Sequence, residues 1–344
     1  VKFLRDDLSC TFGFGITEVE KLKAKLDQNE CSSELPGEIK EAIVREMSGF
    51  QMNRYPQPRD YYAAKEILAP AAGFKPENLF LTVGCDQVIL MAFWLSGGCG
   101  RKTLIFEPTY PMFAHAAMIT GTEAVKVNLG VDFAWDTSYF TDDLNLISIV
   151  SPNNPTGQLA GDDIVESALE TGALVFADEA YHDFSGKTYS GFLEKYENLL
   201  IGRSLAKSGL AGVRLGYGVA RPEIVRIAEG LLFIPYHLNF LQLAVARAYP
   251  EIQPFLAAWA REVNLQKEEL YRFFDHEGIA YKKSHANFVL FRVPDPARTY
   301  DCLIRECIRI RNTSTMPGLE GWLRVTIGTP EEMDCFREAL KGAL

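Results

Sequence analysis

No apolar run in the 344-residue sequence approaches the roughly 20 residues that a membrane-spanning helix needs, and Val1-Lys2-Phe3 opens no signal-peptide pattern. A basic excess is missing too. Lys and Arg number 35 against 45 Asp and Glu, a net charge of -10, and the pI is near 5.2. Such a surface lacks the dense positive charge that displaces counterions from nucleic acid or an anionic membrane. Paired cysteine motifs are also lacking. The seven cysteines (Cys10, Cys31, Cys85, Cys99, Cys302, Cys307 and Cys335) show no CxxC spacing and are odd in number. That argues against a disulfide framework or a metal site and fits reduced thiols in the cytoplasm. No internal repeat or low-complexity stretch is present. What is there is a globular composition, 47% hydrophobic, long enough for two or three structural units, with a small molecule as the expected partner.

Helical and strand-like segments alternate along the middle of the chain. Strands are expected at 79–83, 103–106, 125–129, 146–150, 173–177 and 199–201, and helices at 38–48, 60–69, 86–95, 109–119 and 162–170. Several of these strands are continuous apolar runs, which means coverage on both faces. The fold class is therefore α/β, a mainly parallel, seven-stranded-type sheet between helix layers plus a smaller α+β domain. The expected division is an arm and part of the small domain at 1–50, a large ligand-binding domain at 51–232, and a small domain at 233–344. Helices at 239–249 and 252–277, strands at 287–292 and 322–327 and a closing helix from Pro330 fill the last part.

Three strand ends carry polar clusters: Ser151-Pro-Asn-Asn-Pro-Thr-Gly157, Asp178-Glu-Ala-Tyr181, and Ser204-Leu-Ala-Lys-Ser208 with Arg214 behind it. Open α/β sheets gather ligand groups at strand ends. Here the set is an amide, a carboxylate, a phenol, an amine and a guanidinium, which suits pyridoxal 5'-phosphate. Asp178 ends the apolar run 173–177, so it needs a cation, and a protonated pyridine nitrogen would serve. Capping of the next helix is the plainer role for it. Lys207 can form a Schiff base with the cofactor aldehyde and then move a proton at the substrate Cα, whereas an ordinary loop lysine would face solvent. Asn154 and Tyr181 can donate to the cofactor phenolate, against a bland reading of Asn154 as turn chemistry.

A phosphate needs several donors, best placed at a helix N-terminus. Gly84-Cys85-Asp86 offers backbone N–H groups, with Asp86 as the expected helix cap, and Ser204 and Arg214 add a hydroxyl and a guanidinium fork. Tyr110 could stack on the pyridine ring or simply pack in the core. Arg324 interrupts the apolar strand 322–327 and needs an anion, either from a substrate or from an internal salt bridge. Arg311 is the other cation of interest.

These residues resemble the fold-type I pyridoxal-phosphate aminotransferases and, within them, the histidinol-phosphate aminotransferases. The resemblance runs through Lys25-Leu-Asp-Gln-Asn-Glu30, Asn53-Arg-Tyr-Pro56, Glu107-Pro-Thr-Tyr110, Ser151–Gly157, Ala177-Asp-Glu-Ala-Tyr181, Ala211-Gly-Val-Arg-Leu-Gly-Tyr217, Pro235-Tyr-His-Leu-Asn239, Ala286-Asn-Phe288 and Leu323-Arg-Val-Thr-Ile-Gly-Thr329. It implies a homodimer with shared active sites, Tyr55 of one subunit reaching the cofactor phosphate of the other. It implies ping-pong transamination between glutamate and imidazole acetol phosphate. Arg311 and Arg324 would hold the substrate phosphate, Arg324 would also hold the glutamate carboxylate, and Asn29 would contact substrate. The same resemblance leaves a threonine-phosphate decarboxylase and a broad aromatic or aspartate aminotransferase as alternatives. An effector-binding module of a transcription regulator would need a DNA-binding domain that the acidic N-terminal region does not show.

The sequence departs from the family pattern twice. Cys31-Ser32 follows Asn29-Glu30 where the family has Asn-Pro or Tyr-Pro. Lys207 and Arg214 are 7 positions apart (214 minus 207), one fewer than in the family, which reads as a shortened loop or a residue missing from the sequence. Lys207 keeps the Leu-x-Lys-Ser pattern and is taken as the anchor.

Overall fold

The structure is a computed structural model that describes residues 21–232 and 237–344. Its elements begin with β1 (Ala24–Leu26), α1 (Gly37–Ser48), α2 (Pro58–Ala71), β2 (Leu79–Thr82), α3 (Cys85–Ser96), β3 (Lys102–Glu107), α4 (Met112–Thr120) and β4 (Glu123–Asn128). There follow β5 (Leu146–Val150), α5 (Asp162–Glu170), β6 (Leu174–Asp178), α6 (His182–Ser185), β7 (Leu199–Ser204), β8 (Gly216–Ala220) and α7 (Pro222–Leu231). The chain closes with α8 (Phe240–Glu277), β9 (Tyr281–Lys282), β10 (Phe288–Arg292), α9 (Pro296–Arg305), β11 (Ile308–Asn312), β12 (Trp322–Thr326) and α10 (Pro330–Ala343).

Seven strands form one sheet in the order β2-β8-β7-β6-β5-β3-β4. Strands β3 to β7 pair in parallel, and β8 runs antiparallel to both its neighbours. Every residue of β5 is buried, as is every residue of β7. That is the pattern expected of strands covered on both faces. The second sheet has the order β1-β11-β12-β10-β9. The β1–β11 pair in it is parallel and the others are antiparallel.

Two helices, at 239–249 and 252–277, are expected here, and Pro250 and Pro254 fall within the stretch. The structure instead has one helix, α8, of 38 residues. Its packing outweighs the two lost N–H donors. Residues Leu243 to Leu256 lie in the core of the seven-stranded sheet, and Trp259 to Phe274 lie in the core of the five-stranded one. The passage from one core to the other thus falls inside α8. Likewise α1 sends Ile39 and Ile43 into the core of the larger sheet, and β1 carries the N-terminal contribution to the smaller one. Among the described residues, no helix is long and apolar enough to cross a membrane.

The ends of β6 and β7 are locked together by a buried ion pair. Arg203 Nε and Nη2 donate to Glu179 Oε2 at 3.0 and 2.8 Å, while Glu179 Oε1 accepts from Tyr189 N at 2.7 Å and Thr188 Oγ1 at 3.1 Å. This pair flanks Asp178 on β6 and Ser204 on β7, so it fixes both strand ends. Arg203→Met leaves the Glu179 carboxylate buried without its cation, and we expect a loss of about 3–5 kcal/mol. Chemical denaturation checks this; a loss below about 1 kcal/mol would refute the assigned role of the pair.

Candidate active site

Asp178 ends β6 with its side chain 4% exposed. Its Oδ1 accepts from Ala180 N at 2.9 Å, and the Cys85 thiol lies 3.8 Å away. The aspartate therefore shapes a turn and does not cap α6, whose N-cap is Tyr181. Among the described residues it forms no ion pair. Burial pushes its carboxyl up to about 6, opposed by the Ala180 N–H. A buried carboxylate held in this way calls for a cationic partner.

Tyr181 is buried and accepts a hydrogen bond from Asn29 Nδ2 at 2.8 Å, leaving its own hydroxyl proton to donate. Asn29 sits in the left-handed region (φ 56°). Its Oδ1 accepts from Thr326 Oγ1 at 2.9 Å and its carbonyl from Asn287 Nδ2 at 3.0 Å. The Asn29 amide is thus engaged on both sides. In the structure it orients Tyr181. Beside it, Cys31 turns its thiol to Ser33 O at 3.1 Å, and burial pushes that thiol up to about 12.

Lys207 leaves β7 in a wide turn closed by Leu210 N donating to Leu205 O at 3.0 Å. The short interval to Arg214 is taken up by this turn and a following tight one at Ala211–Val213. The half-buried Lys207 directs Nζ 5.9 Å above the Tyr181 ring and 3.5 Å from Gln28 O. It lies close enough to Asp178 to favour the carboxylate. Amine, phenol and carboxylate are therefore gathered at the ends of β6 and β7.

A second group forms at the start of α3. Gly84 is its N-cap at φ 73°, and an added Cβ would stand 2.9 Å from Arg214 Nη2. Glycine thus permits both the backbone conformation and the close approach of the guanidinium. Arg214 Nη2 donates to Asp86 Oδ2 at 2.8 Å, and Tyr110 OH donates to Asp86 Oδ1 at 3.1 Å. Asp86 was expected to cap α3. It lies one residue inside the helix, makes no capping bond, and instead holds Tyr110 and Arg214. The Gly84 and Cys85 backbone lies at the positive end of α3. Ser204 Oγ accepts from Ala206 N at 3.2 Å and keeps its proton for a ligand.

The third group joins the two sheets. Arg324, 6% exposed, donates from Nη1 to Asn154 Oδ1 and from Nη2 to Asp27 O at 2.6 Å. Its cation lies 5.1 Å above the Phe288 ring. Arg311 is its direct cross-strand partner in the β11–β12 ladder. Neither forms an ion pair among the described residues, so the internal salt bridge considered for Arg324 is not made. Burial chiefly, and Arg311 as well, bring the Arg324 guanidinium down to about 10. Like charges directly across a ladder repel. An anion between them would offset that repulsion.

Tyr55 is 68% exposed on the segment before α2. Pro235 and Tyr236 of the Pro-Tyr-His-Leu-Asn motif, and Cys10, lie outside the described residues. The other six cysteines are free. Among the described residues no cluster of His, Cys, Asp and Glu could hold a metal ion. Thr326 and Asn287 escaped the reading of the sequence. Thr326 lies two residues after Arg324 on the same face of β12, and Asn287 lies in the Ala286-Asn-Phe288 motif.

These groups fit pyridoxal 5'-phosphate on structural grounds. Among the described residues Asp178 is a buried carboxylate without an ion-pair partner, and the Gly84 turn with Arg214 and Ser204 supplies donors for a phosphate. Residues 21–340 match the family model of aminotransferase class I and II. The chain is 33% identical over 339 residues to a histidinol-phosphate aminotransferase of Aquifex aeolicus, covering 95% of this chain and 94% of that one. It is 34% identical over 321 residues to another from Pyrococcus furiosus, with 92% and 91% covered. The solved histidinol-phosphate aminotransferase of Sinorhizobium meliloti, in complex with pyridoxal-5'-phosphate, has the same fold at a TM-score of 0.82 and 22% identity, covering 94% of this chain and 91% of that one. The chain belongs to the class I and II aminotransferases and is a pyridoxal 5'-phosphate-dependent enzyme.

Proposed function

We propose that the enzyme interconverts L-histidinol phosphate and 2-oxoglutarate with imidazole acetol phosphate and L-glutamate. The observation that carries the substrate choice is the Arg311–Arg324 couple, which forms no ion pair among the described residues. One buried guanidinium and one exposed one, facing each other, suit a substrate phosphate, and the buried one can also fork onto a carboxylate. The curated relatives of the same name support the reading.

When bound, the cofactor supplies an aldehyde that carries the amino group and a protonated ring that draws electrons from the substrate Cα. The protein's own residues do the rest. Asp178 holds the proton on the ring nitrogen. Tyr181, oriented by Asn29, donates to the ring oxygen, and the Asn154 amide is left to do the same because its Oδ1 is taken by Arg324. Lys207 anchors the aldehyde and moves a proton at the substrate Cα. Gly84 and Cys85 amides, Ser204 and Arg214 hold the phosphate, with Tyr110 and Asp86 fixing Arg214. The two half-reactions test this. Glutamate alone should yield stoichiometric 2-oxoglutarate, and imidazole acetol phosphate added afterwards should become histidinol phosphate. Failure of the second step, or release of carbon dioxide from threonine phosphate without an acceptor, would sink the reading.

The arginines make separable predictions. Arg324→Gln should raise KM for both glutamate and the phosphorylated ketone by about 30-fold or more, since truncating one partner of a desolvated charge pair costs about 2–5 kcal/mol. Arg311→Gln should raise KM for the phosphorylated substrate alone. Steady-state kinetics with each substrate varied decides, and equal effects of Arg311→Gln on both would remove the division of labour.

We also propose a homodimer, in which Tyr55 reaches the phosphate of the neighbouring subunit's cofactor. The exposure of Met52 at 70%, Tyr55 at 68% and Tyr62 at 62% on one stretch supports such a covered face. A monomeric mass by light scattering would refute it. The free cysteines support a reducing, cytoplasmic setting.

A further inference from the structure

Lys267 is the charged group in the structure with the least obvious employment. It lies on the apolar stripe of α8, four residues after Val263 and seven before Phe274, and is 5% exposed. Its Nζ donates to Ser284 O and to Ala286 O, both at 2.9 Å. Among the described residues it has no carboxylate partner. Burial lowers its ammonium to about 8. A fully buried amine kept in place by two backbone carbonyls is expensive, and an apolar side chain would serve the core better.

The turn it clamps is the seam between the two sheets. On one side, His285 N donates to Gly157 O at 2.8 Å and Gln158 Nε2 donates to Lys283 O at 2.8 Å. Gly157 stands at φ 73°, and a Cβ there would lie 2.3 Å from Ser284 Oγ and 3.0 Å from Ser284 Cα. The loop from Asn153 to Gln158, which carries Asn154, is thereby pressed onto the turn. On the other side, Asn287 Nδ2 donates to Asn29 O at 3.0 Å, and Asn29 orients Tyr181. Ile327 N also donates to Asn287 O at 2.8 Å, tying in the end of the strand that bears Arg324. The turn at 283–287 thus touches the supports of Asn154, Tyr181 and Arg324 together.

We infer that Lys267 is a positioning residue for transamination, setting the 283–287 turn so that Asn154 and Arg324 meet across the two sheets. It touches neither substrate nor cofactor. The inference rests on the aminotransferase reading for its kinetic consequence, and on geometry alone for the seam itself. Lys207, Asp178, Ser204 and Arg214 lie on the other strand ends and do not depend on the turn. Loss of Lys267 should therefore act on substrate binding and on the two donors to the ring oxygen, Asn154 and Tyr181, while the ring-nitrogen and phosphate contacts are kept.

The experiment compares Lys267→Met, which keeps length and removes the donors, with Lys267→Arg, which restores donors and charge. In the holoenzyme, Lys267→Met should raise KM for glutamate by about tenfold to a hundredfold, the range that a displacement on the order of 1 Å produces. Pyridoxal 5'-phosphate affinity should fall by a smaller factor than the KM rises, because the ring-nitrogen and phosphate contacts are kept, and Lys267→Arg should recover much of the KM. A residue that only stabilises the core would lower the melting temperature while leaving KM unchanged at a temperature where the variant is folded. That outcome overturns the inference. Should Lys267→Met fail to fold, Gly157→Ala opens the same seam from the other side and must reproduce the KM rise; an unchanged KM there is equally fatal. Hydrogen exchange at the His285 amide reads the seam without any turnover, and faster exchange is expected in Lys267→Met. Wild-type protection there refutes the clamp. A wild-type protein inert towards glutamate would instead refute the aminotransferase reading and leave the exchange measurement to judge the clamp.

Discussion

Lys207→Ala should lower turnover by about 10³-fold or more and leave a protein that still binds pyridoxal 5'-phosphate, now without covalent attachment. The amine has two duties, and each is worth a large factor. As the group that moves a proton at the substrate Cα, a positioned base alone contributes about 10²–10⁴. As the anchor, it keeps the aldehyde activated between turnovers. The placement of Nζ favours Lys207 over other lysines. It lies above the Tyr181 ring and near Gln28 O, and its charge is felt by both Asp178 and Cys85. Lys25 is paired with Glu30, and Lys267 is turned to the carbonyls of the 283–287 turn. Borohydride treatment of the holoenzyme followed by peptide mapping checks the anchor. The label is expected on the peptide containing Lys207 and should be absent from Lys207→Ala. Exogenous methylamine should restore part of the proton transfer in the variant. Labelling of a different lysine, or turnover near wild type in Lys207→Ala, would refute the assignment whatever the substrate proves to be.

Much of the large sheet was legible because its strands are continuous apolar runs. β5 and β6 were placed to within a residue or so, and their ends carry the chemistry. Strand β8 was not visible. Its sequence, Gly216-Tyr-Gly-Val-Ala220, has two glycines and weak strand propensity, yet its antiparallel place between β2 and β7 requires small residues there. A Cβ at Gly218 would fall 2.1 Å from Phe80 Cζ. β11 went unassigned although Ile308-Arg-Ile-Arg311 alternates as a strand does; in it Arg309 lies buried beside Asp27 and Arg311 is exposed. The expected pair of helices at 239–249 and 252–277 is the single helix α8, whose packing on two cores carries it through Pro250 and Pro254.

At the site, residue types were legible and partners were not. Asp178 and Lys207 stand out as charged groups at the ends of apolar strands. The fate of Asn29 and Asp86 depended on contacts from more than twenty residues away in sequence: Asn29 on Tyr181 and Thr326, Asp86 on Tyr110 and Arg214. Neither could be settled by spacing. Lys267 did leave a trace, since a lysine on the Val263–Leu270–Phe274 stripe has no solvent to face. Its partners, two backbone carbonyls, carry no signature in sequence at all.

Asp178→Asn should have opposite effects on the cofactor-free protein and on catalysis. The carboxyl is buried, and burial raises it from 3.8 to about 6. A folded-state value above the unfolded one means that the native chain binds the extra proton between about pH 4 and 6. The protonated form's advantage is complete at low pH and disappears as pH rises through about 6. At pH 7.5 the ionised side chain then costs the cofactor-free protein roughly 3 kcal/mol. Asparagine removes the charge while its amide oxygen can still accept from Ala180 N. The variant should therefore melt at a higher temperature than wild type at pH 7.5, and the difference should vanish near pH 4. Catalysis should move the other way, falling on the order of 100- to 1000-fold or more, because no fixed negative charge remains to hold the ring proton. The stabilisation that added pyridoxal 5'-phosphate gives should shrink as well, since binding supplies the missing cation only to the aspartate. Calorimetry of both proteins with and without cofactor, at the two pH values, separates these effects. A variant less stable than wild type at pH 7.5 would mean that Asp178 already has its cation in the protein, and the ring nitrogen would need another partner.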